Sequence, residues 1–323
     1  MPYRAPDFVA LGLDQVPNCK FEPAPADFTL PDGFLSTTNF PTYVKVNGEW
    51  RLPEMPRMDS HLVWSPSTNR LDVREFRLIR KGDLVAVAMA EDGSEGVFVW
   101  DRGFAGEEDL TTDEAFGFMT SEVSREKPVN YDSILNLFME NRGSNGSILW
   151  VIGPALVHSR AREAMEWMIH HGFVHALLTG NAVGVHDVEA GRIQGGIMHA
   201  LTVTRTPYVL AGSIRDDGPL PETIAHNLEA QARMREHTSR ATMAVLVATA
   251  LHSIAVGNML PTFCTAPDGS LREIPTICVD QTEFLVSKLK DRGTHQAFGV
   301  VTNAQDFLRL LHLELERRVQ TRA

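Results

Sequence analysis

Residues 207–221, PYVLAGSIRDDGPLP, contain the pattern that decides the fold. Tyr208–Ala211 is a short apolar run typical of a buried strand, and it stops at Gly212 and Ser213, which an arginine and two aspartates follow. In an open parallel sheet, ligands bind beyond the carboxyl ends of the strands, where small residues let backbone N–H groups approach an anion. The pattern therefore predicts a ligand turn after a parallel strand, with an exposed polar turn as the alternative.

Strand and helix patterns alternate on both sides of that stretch, from residue 131 to the end of the chain. Strands of a parallel sheet need long crossover connections, so the alternation predicts an α/β fold with a Rossmann-like, doubly wound parallel sheet. Strands are predicted at 147–152, 174–178, 208–211, 275–279 and 297–301. Helices are predicted at 131–140, 161–171, 195–204, 221–237, 240–256, 283–290 and 304–318.

The first part of the chain has a different pattern. TYVKVNGEWRL (residues 42–52) places an Asn-Gly pair between alternating residues, which is a strong hairpin signal, and further short β runs continue to about residue 100. We therefore predict an irregular arm over 1–32, a smaller β-rich N-terminal domain with a linker over 33–130, and the Rossmann-like domain over 131–323.

Composition limits the possible partners. The chain has 323 residues and a net charge of -11, which argues against nucleic acid or an anionic membrane as its partner. Three cysteines without C-x-x-C spacing, and no signal peptide, predict a cytoplasmic protein. Residues 241–260 are apolar enough to suggest a membrane span, but His252, Ser253 and Asn258 within them favour a buried helix.

The predicted strands end on small or polar residues, which favours a nucleotide or dinucleotide cofactor. Neither G-x-G-x-x-G nor G-x-x-x-x-G-K-[ST] occurs, and the histidines lack metal-ligand spacing. Asp280, at the end of one strand, is placed to accept a proton or to cap the helix after it. Asp187 can bind a ribose hydroxyl or be solvated, and Arg215 can hold a substrate carboxylate or lie on the surface.

Several motifs together resemble the family related to lysine-oxoglutarate reductase/saccharopine dehydrogenase, whose characterised activity is an NAD-dependent ornithine cyclodeaminase. They are STTNFPTYVKV, FMTSEVSREKPV, ALLTGNAVGVHDVE, YVLAGSIRDDGPLP, LHSIAVGNMLP and ICVD. The resemblance runs from about residue 33 to the end of the chain. It implies a β-rich N-terminal domain and a Rossmann-like domain similar to deoxyhypusine synthase, which binds NAD without the usual glycine fingerprint.

The resemblance also implies site residues. Asp280 is the implied acid-base group and would contact the cofactor too. The other implied cofactor contacts are Asn181, Ala182, Asp187, Ala211, Gly212, Ser213, Gly257, Asn258 and Met259. The candidate substrate contacts are Asn39, Thr42, Glu122 and Lys127, which we add to Arg215. Family members place cofactor sites near subunit interfaces, which implies a homo-oligomer.

The chain departs from the family pattern in two places. The family has a long segment with a G-H-x-H-H cluster where Glu189 is here followed almost directly by Gly195, and it tends to have histidine at the position of Phe40. With these departures, the resemblance still implies a lyase of amino-acid metabolism, an NAD-dependent cyclodeaminase acting on ornithine or a related diamino acid. The alternatives are an NAD-dependent dehydrogenase or deaminase of another amine, or a degenerate NAD-binding protein.

Overall fold

A computed structural model of the chain describes residues 3–104, 130–143, 145–189, 195–212, 220–282 and 297–322. The chain forms two compact units. One comprises Met1–Pro128 and Pro261–Glu273, and the other comprises Val129–Leu260 and Ile274–Ala323. In the described part of the chain, no helix is both long and apolar enough to cross a membrane.

The first unit is β-rich, as predicted. Its sheets have the antiparallel strand orders β1-β6-β4-β5, β3-β2-β7 and β12-β13. The strands are β1 (Lys20–Pro23), β2 (Thr42–Val46), β3 (Glu49–Arg51), β4 (His61–Ser65), β5 (Arg70–Arg74), β6 (Leu84–Val87), β7 (Val97–Val99), β12 (Phe263–Thr265) and β13 (Leu271–Glu273).

Two details of the first unit concern the sequence predictions. The Asn-Gly hairpin is confirmed: Asn47 and Gly48 join β2 to β3 with φ of 54° and 85°, the left-handed conformation that a two-residue hairpin turn requires. β1 lies in the stretch predicted to be irregular, and it pairs with β6 over four residues. That strand has no alternating apolar pattern because both of its ends are exposed, so periodicity could not reveal it.

The second unit is a six-stranded parallel sheet with helices on both faces. Its strands are β8 (Ile148–Ile152), β9 (Ala176–Gly180), β10 (Tyr208–Ala211), β11 (Met243–Val247), β14 (Thr276–Asp280) and β15 (Ala297–Val301). Its described helices are α1 (Tyr131–Asn141), α2 (Ala155–His158), α3 (Arg162–His170), α4 (Asn181–Glu189), α5 (Ile197–Thr204), α6 (Asn227–Thr238), α7 (Ala250–Met259) and α8 (Ala304–Arg322).

The strand order is β10-β9-β8-β11-β14-β15, and every neighbouring pair is parallel. Counted along this unit, the order is third, second, first, fourth, fifth, sixth, which is the order of dinucleotide-binding Rossmann sheets. The predicted fold class is therefore confirmed. The order reverses between β8 and β11, and the crevice beyond their carboxyl ends is the place where such sheets bind ligands.

The single helix predicted over 240–256 is wrong. Met243–Val247 form β11, a central strand, and the helix α7 starts only at Ala250. Met243 and Val245 point into the core on one face of the sheet, while Ala244 and Leu246 point into the core on the other. A strand covered on both faces is apolar at every position, so its sequence has the same appearance as a buried helix.

Two other boundaries differ from the predictions. β9 extends to Gly180, so Thr179 and Gly180 belong to the strand and the turn begins at Asn181. The helix predicted from 221 begins at Asn227, and residues 220–224 instead run beside β10, where Ala211 forms a parallel bridge with Ile224. The helix predicted over 283–290 lies outside the described residues.

Ala248 follows β11 with a φ of 54°, in the left-handed region that favours glycine. Its N–H donates to the Val279 carbonyl at 3.1 Å, which fixes this conformation. We expect Ala248→Gly to raise the free energy of unfolding by about 0.5–1 kcal/mol, because relief of the strain exceeds the added flexibility of the unfolded chain. A higher thermal midpoint in calorimetry is the predicted result, and a lower midpoint would contradict the assigned conformation.

A half-buried histidine, His175, makes the stability of the fold depend on pH. The Nδ1 of His175 accepts the N–H of Ile148 at 3.0 Å, and desolvation lowers the pKa of His175. The unfolded chain therefore binds more protons below about pH 6.5, and the stability present above that pH is lost as pH falls. We expect the thermal midpoint of the protein to drop between pH 7.5 and pH 5.5. The drop should be smaller in His175→Asn, because the amide oxygen can still accept the hydrogen bond from Ile148 but does not titrate in this range. An equal drop in both proteins would remove His175 as a cause.

Candidate functional site

The chain just after β8 is in close contact with the chain at the end of β11. The N–H of Gly153 donates to the Val247 carbonyl at 3.0 Å, and Gly153 itself is buried. A Cβ at this position would lie 1.9 Å from the carbonyl oxygen of Ala248. Only glycine fits there, so the glycine predicted after β8 is a structural requirement of the crevice between the two central strands.

His252 lies over the end of β9. A Cβ added to Gly180 would lie 2.6 Å from Cε1 of His252, and Nδ1 of the same ring is 3.5 Å from Oγ1 of Thr249. His252 is carried by α7, which follows β11, and it reaches Gly180 on the far side of β8. The ring therefore spans the point where the strand order reverses.

Sequence reasoning did not select His252 as a site residue. The predicted helix over 240–256 placed it in the middle of an apolar helix, whereas in the structure it stands in the first turn of α7, five residues after β11. A correct strand end at Val247 would have placed the histidine at the ligand edge of the sheet.

Asn181 starts α4 directly after β9 and is 1% exposed. Its Oδ1 accepts the N–H of Leu220 at 3.0 Å and the hydroxyl of Thr223 at 2.6 Å. The amide oxygen is thus used to hold residues 220–224 against the sheet. Asn181 therefore fixes the position of this segment beside the ends of β9 and β10.

Gly212 is held by the same segment. Its N–H donates to the Ile224 carbonyl at 2.9 Å, and the N–H of Ile224 donates to Leu210 at 2.9 Å. Ala211, the last residue of β10, is 8% exposed. Asn181 and Gly212 therefore stand at adjacent strand ends and share one supporting segment. Ser213 and Arg215 lie outside the described residues.

Asp280 ends β14 and is half-buried. Its Oδ1 accepts the N–H of Thr282 at 3.1 Å and the hydroxyl of Thr282 at 3.3 Å, while its carbonyl accepts the N–H of Thr302 at 2.9 Å. Oδ2 makes no hydrogen bond within the described part of the chain. One carboxylate oxygen therefore fixes the turn at Thr282, while the helix that the capping alternative predicts lies outside the described residues.

Asp187 has a role inside the fold. It is 2% exposed, its Oδ2 accepts the N–H of Met198 at 2.8 Å, and its buried Oδ1 lies 3.7 Å from a guanidinium nitrogen of Arg162. The carboxylate caps the N-terminus of α5, close to Gly196, whose φ is 96°. Because both oxygens are enclosed, the geometry favours a structural role for Asp187 over the ribose contact predicted from the sequence.

Gly257, Asn258 and Met259 stand at the last turn of α7. A rise of 1.5 Å per residue places them about 10–14 Å along the axis from the start of that helix. The structure therefore does not bring them to the strand ends where Asn181, Gly212 and Asp280 lie. Ala182, by contrast, is half-buried in the first turn of α4 beside Asn181.

The predicted substrate contacts lie in the first unit or outside the described residues. Asn39 and Thr42 belong to the first unit, where Thr42 is fully buried and its hydroxyl donates to the Phe40 carbonyl at 3.1 Å. Glu122 and Lys127 lie outside the described residues. Among the residues that the structure does describe, no group of three His, Cys, Asp or Glu side chains is arranged to hold a metal ion.

Two family models cover most of the chain. The model of the arginine dihydrolase ArgZ-like, C-terminal, Rossmann fold matches residues 132–191 and 188–311, and the model of the first region of the same C-terminal part matches residues 41–132. The Rossmann match breaks at residues 188–191 and restarts there. That break coincides with the segment that the sequence predicts to be missing between Glu189 and Gly195.

Comparison with known proteins agrees with this assignment. An ornithine cyclodeaminase of Methanopyrus kandleri is 39% identical, with 92% of this chain and 78% of the relative covered. The crystal structure of a conserved LOR/SDH protein from Methanococcus maripaludis S2 is similar at a TM-score of 0.78 and 36% identity, covering 94% of this chain and 99% of that one. A ternary complex of AgrE with ornithine and NAD+ has a TM-score of 0.54 and 28% identity, over 95% of this chain and 47% of AgrE.

The alignment with the Methanopyrus kandleri protein runs over 348 positions, more than the 323 residues of this chain. The relative therefore carries residues that this chain lacks, as expected of a chain with a shortened segment. The family models, the identity and the shared Rossmann order lead to the same assignment, and the chain belongs to the ornithine cyclodeaminase family, with the ArgZ-like C-terminal Rossmann fold.

Proposed function

We propose that this chain is an NAD-dependent ammonia-lyase that converts ornithine or a related diamino acid into a cyclic imino acid. The observation that carries the proposal is the strand order third, second, first, fourth, fifth, sixth, with Gly153, Asn181 and Gly212 at the carboxyl ends of the first three strands. The relative named ornithine cyclodeaminase and the AgrE complex with ornithine and NAD+ support the substrate and the cofactor.

The strand ends at this edge carry small or polar residues, which is the composition that suits a dinucleotide. Gly153 and Gly180 have no side chain, which lets the Ala248 carbonyl and the His252 ring lie against the ends of β8 and β9. Gly212 packs closely in the same way at the end of β10, where an added Cβ would lie 3.1 Å from Ala225. We propose that Asn181, Ala182, Ala211, Gly212, Ser213 and Asp280 hold NAD at this edge. Asp187 and Gly257–Met259 are weaker candidates, for the geometric reasons given above.

NAD would supply the reversible removal and return of a hydride, so that ring closure with loss of ammonia requires no other oxidant. Asp280 is the proposed proton acceptor, through Oδ2. It would take the proton from a substrate ammonium group, because only a neutral amine has the electron pair that oxidation and ring closure use. Ornithine would give proline and ammonia. The two products account for every atom of the substrate.

The substrate contacts are also proposals. Asn39, Thr42, Glu122, Lys127 and Arg215 match the family motifs or carry groups that bind carboxylates and amines. Because the segment after Glu189 is shortened, direct assay has to identify which diamino acid is the substrate. We further propose that the enzyme acts in the cytoplasm as a homo-oligomer. The three free cysteines support a reducing compartment. Light scattering of the purified chain tests the oligomeric state.

The test of the proposed function is turnover. The purified chain with NAD and ornithine should release ammonia and proline in equal amounts, with no net rise in absorbance at 340 nm. Lysine and shorter diamino acids belong in the same panel, because the segment after Glu189 is shortened. A steady accumulation of NADH would instead support a dehydrogenase or an oxidising deaminase. NAD binding without turnover on the whole panel would support a degenerate NAD-binding protein.

A further inference from the structure

We propose that Asn47 is a site of spontaneous deamidation and that the side chain of Asn18 controls the rate of this modification. The site is the hairpin turn between β2 and β3 in the first unit, and the inference does not depend on the proposed function. Deamidation is a reaction of the peptide chain itself, so it needs no cofactor and no second protein.

The reaction at an Asn-Gly pair is an intramolecular acyl transfer. The backbone nitrogen of Gly48 forms a bond to Cγ of Asn47, and the bond between Cγ and the side-chain nitrogen breaks. Ammonia leaves, carrying the hydrogen of the Gly48 N–H. Water then opens the cyclic imide to give aspartate or isoaspartate. Glycine favours the first step, because it has no side chain to hinder the approach of its nitrogen.

The first observation is the exposure and shape of the turn. Asn47 and Gly48 are both exposed, and Val46 and Glu49 form the closing pair of the hairpin. Water therefore reaches the amide of Asn47. The φ values of 54° and 85° suit a turn of two residues. Isoaspartate would lengthen the backbone of this turn by one carbon atom, so the modification would disturb the pairing of β2 with β3.

The second observation is that the attacking nitrogen is engaged. The N–H of Gly48 donates to Oδ1 of Asn18 at 2.8 Å, a distance typical of a good hydrogen bond. The nitrogen must give up this hydrogen before it can bond to Cγ of Asn47. The hydrogen bond to Asn18 therefore has to break first, and its strength adds to the barrier of the reaction.

The third observation is that Lys45 fixes the chain on both sides of Asn18. Its Nζ donates to the Val16 carbonyl at 2.8 Å, and its own carbonyl accepts the N–H of Cys19 at 2.9 Å. Lys45 is only 4% exposed, so both contacts are shielded from water. The side chain of Asn18 lies on the surface, but the backbone that carries it is held next to β2, within reach of Gly48.

A second Asn-Gly pair, Asn145 and Gly146, provides an internal comparison. Asn145 is also exposed, and the N–H of Gly146 donates to the Gly143 carbonyl at 2.9 Å. The acceptor here is a backbone atom, and the pair belongs to the other unit. A substitution of Asn18 therefore removes the acceptor at Gly48 and leaves the one at Gly146 in place.

The experiment incubates the full chain at mildly alkaline pH and follows deamidation of each peptide by mass spectrometry after proteolysis. Asn18→Ala should raise the rate at Asn47 on the order of two- to tenfold, the factor that corresponds to the net strength of an ordinary hydrogen bond. The rate at Asn145 should stay unchanged. Asn18→Asp is the matched control: its carboxylate can still accept the Gly48 N–H, so the rate at Asn47 should stay near that of the wild-type chain.

The thermal midpoint of each variant shows whether it is folded. Asn18→Leu, which has nearly the shape of asparagine but no acceptor, serves as a second variant if Asn18→Ala unfolds, and it should show the same rise at Asn47. The wild-type chain unfolded in guanidinium chloride gives the rate without any contact of the fold. The folded wild-type chain should deamidate more slowly than this at Asn47.

Four results would overturn the proposal. An unchanged rate at Asn47 in Asn18→Ala and Asn18→Leu would remove the role of Asn18. An equal rise at Asn145 would show that the substitution loosens the whole chain. Equal rates at Asn47 in the folded and unfolded wild-type chain would show that the fold gives no protection. No deamidation at Asn47, even in the unfolded chain, would remove the site itself.

Discussion

Gly153→Ala is expected to lower the free energy of unfolding by about 3 kcal/mol, an upper value for overpacking. The added Cβ would lie 1.9 Å from the Ala248 carbonyl oxygen and 2.9 Å from the Cβ of Thr249. The nearest obstacle is backbone, and it is fixed because the Gly153 N–H donates to Val247 and the Ala248 N–H donates to Val279. The two central strands would have to separate at the ligand edge, so NAD binding should be lost as well.

Calorimetry of the cofactor-free protein measures this effect. A loss of about 3 kcal/mol corresponds to a fall in the thermal midpoint on the order of 6–12 °C for a unit of this size. Gly143→Ala is the matched control, because no atom lies within 4 Å of the Cβ it would add and its φ is not positive. A midpoint for Gly153→Ala within the error of the control would contradict the close contact between β8 and β11.

Asp280→Asn is expected to reduce kcat by about 10²–10⁴-fold, the range attributed to a positioned acid-base group. The fold should be retained, because the amide oxygen of asparagine can still accept the hydrogen bonds from Thr282. What is lost is the negative charge and the proton acceptor at Oδ2. Ammonia release under saturating NAD and ornithine measures the change, and NAD affinity is measured separately so that cofactor binding is not mistaken for catalysis.

Asp268 offers a matched control for this substitution. Its Oδ1 accepts the N–H of Ser270 at 3.0 Å and the Ser270 hydroxyl at 2.6 Å, the same turn that Asp280 makes with Thr282. Asp268→Asn should leave kcat unchanged. If Asp280→Asn retained full activity, Asp280 would be a turn residue only, and the proton acceptor would have to be sought elsewhere.

Much of the architecture follows from local patterns. The apolar runs at β8, β9 and β10 are buried on both faces, and the Asn-Gly pair forms the hairpin that its conformational preference requires. The glycines after these strands could be placed at the ligand edge because strand ends in a parallel sheet meet at one edge. The strand order itself depends on long-range pairing, and no local pattern in the sequence determines it.

The site was harder to predict because side-chain roles depend on contacts distant in sequence. Asp187 follows a ligand turn in the sequence, yet its carboxylate caps α5 eleven residues later. The position of His252 at the ligand edge was missed because a strand and a helix follow each other within one apolar run, residues 243–259, whose pattern favours a single helix. Asn181 has the predicted position, but its bonds to Leu220 and Thr223 could be seen only once the chain had folded.

The most direct test of the account follows the hydrogen on the reacting carbon. Ornithine deuterated at both amine-bearing carbons is incubated with the chain and NAD in ordinary water, and the proline is analysed by mass spectrometry. Removal and return of the same hydride predicts proline that keeps all of its deuterium, equimolar ammonia and no rise in absorbance at 340 nm. Proline that has lost one deuterium, a rise in absorbance at 340 nm, or the absence of ammonia would contradict the cyclodeaminase reaction.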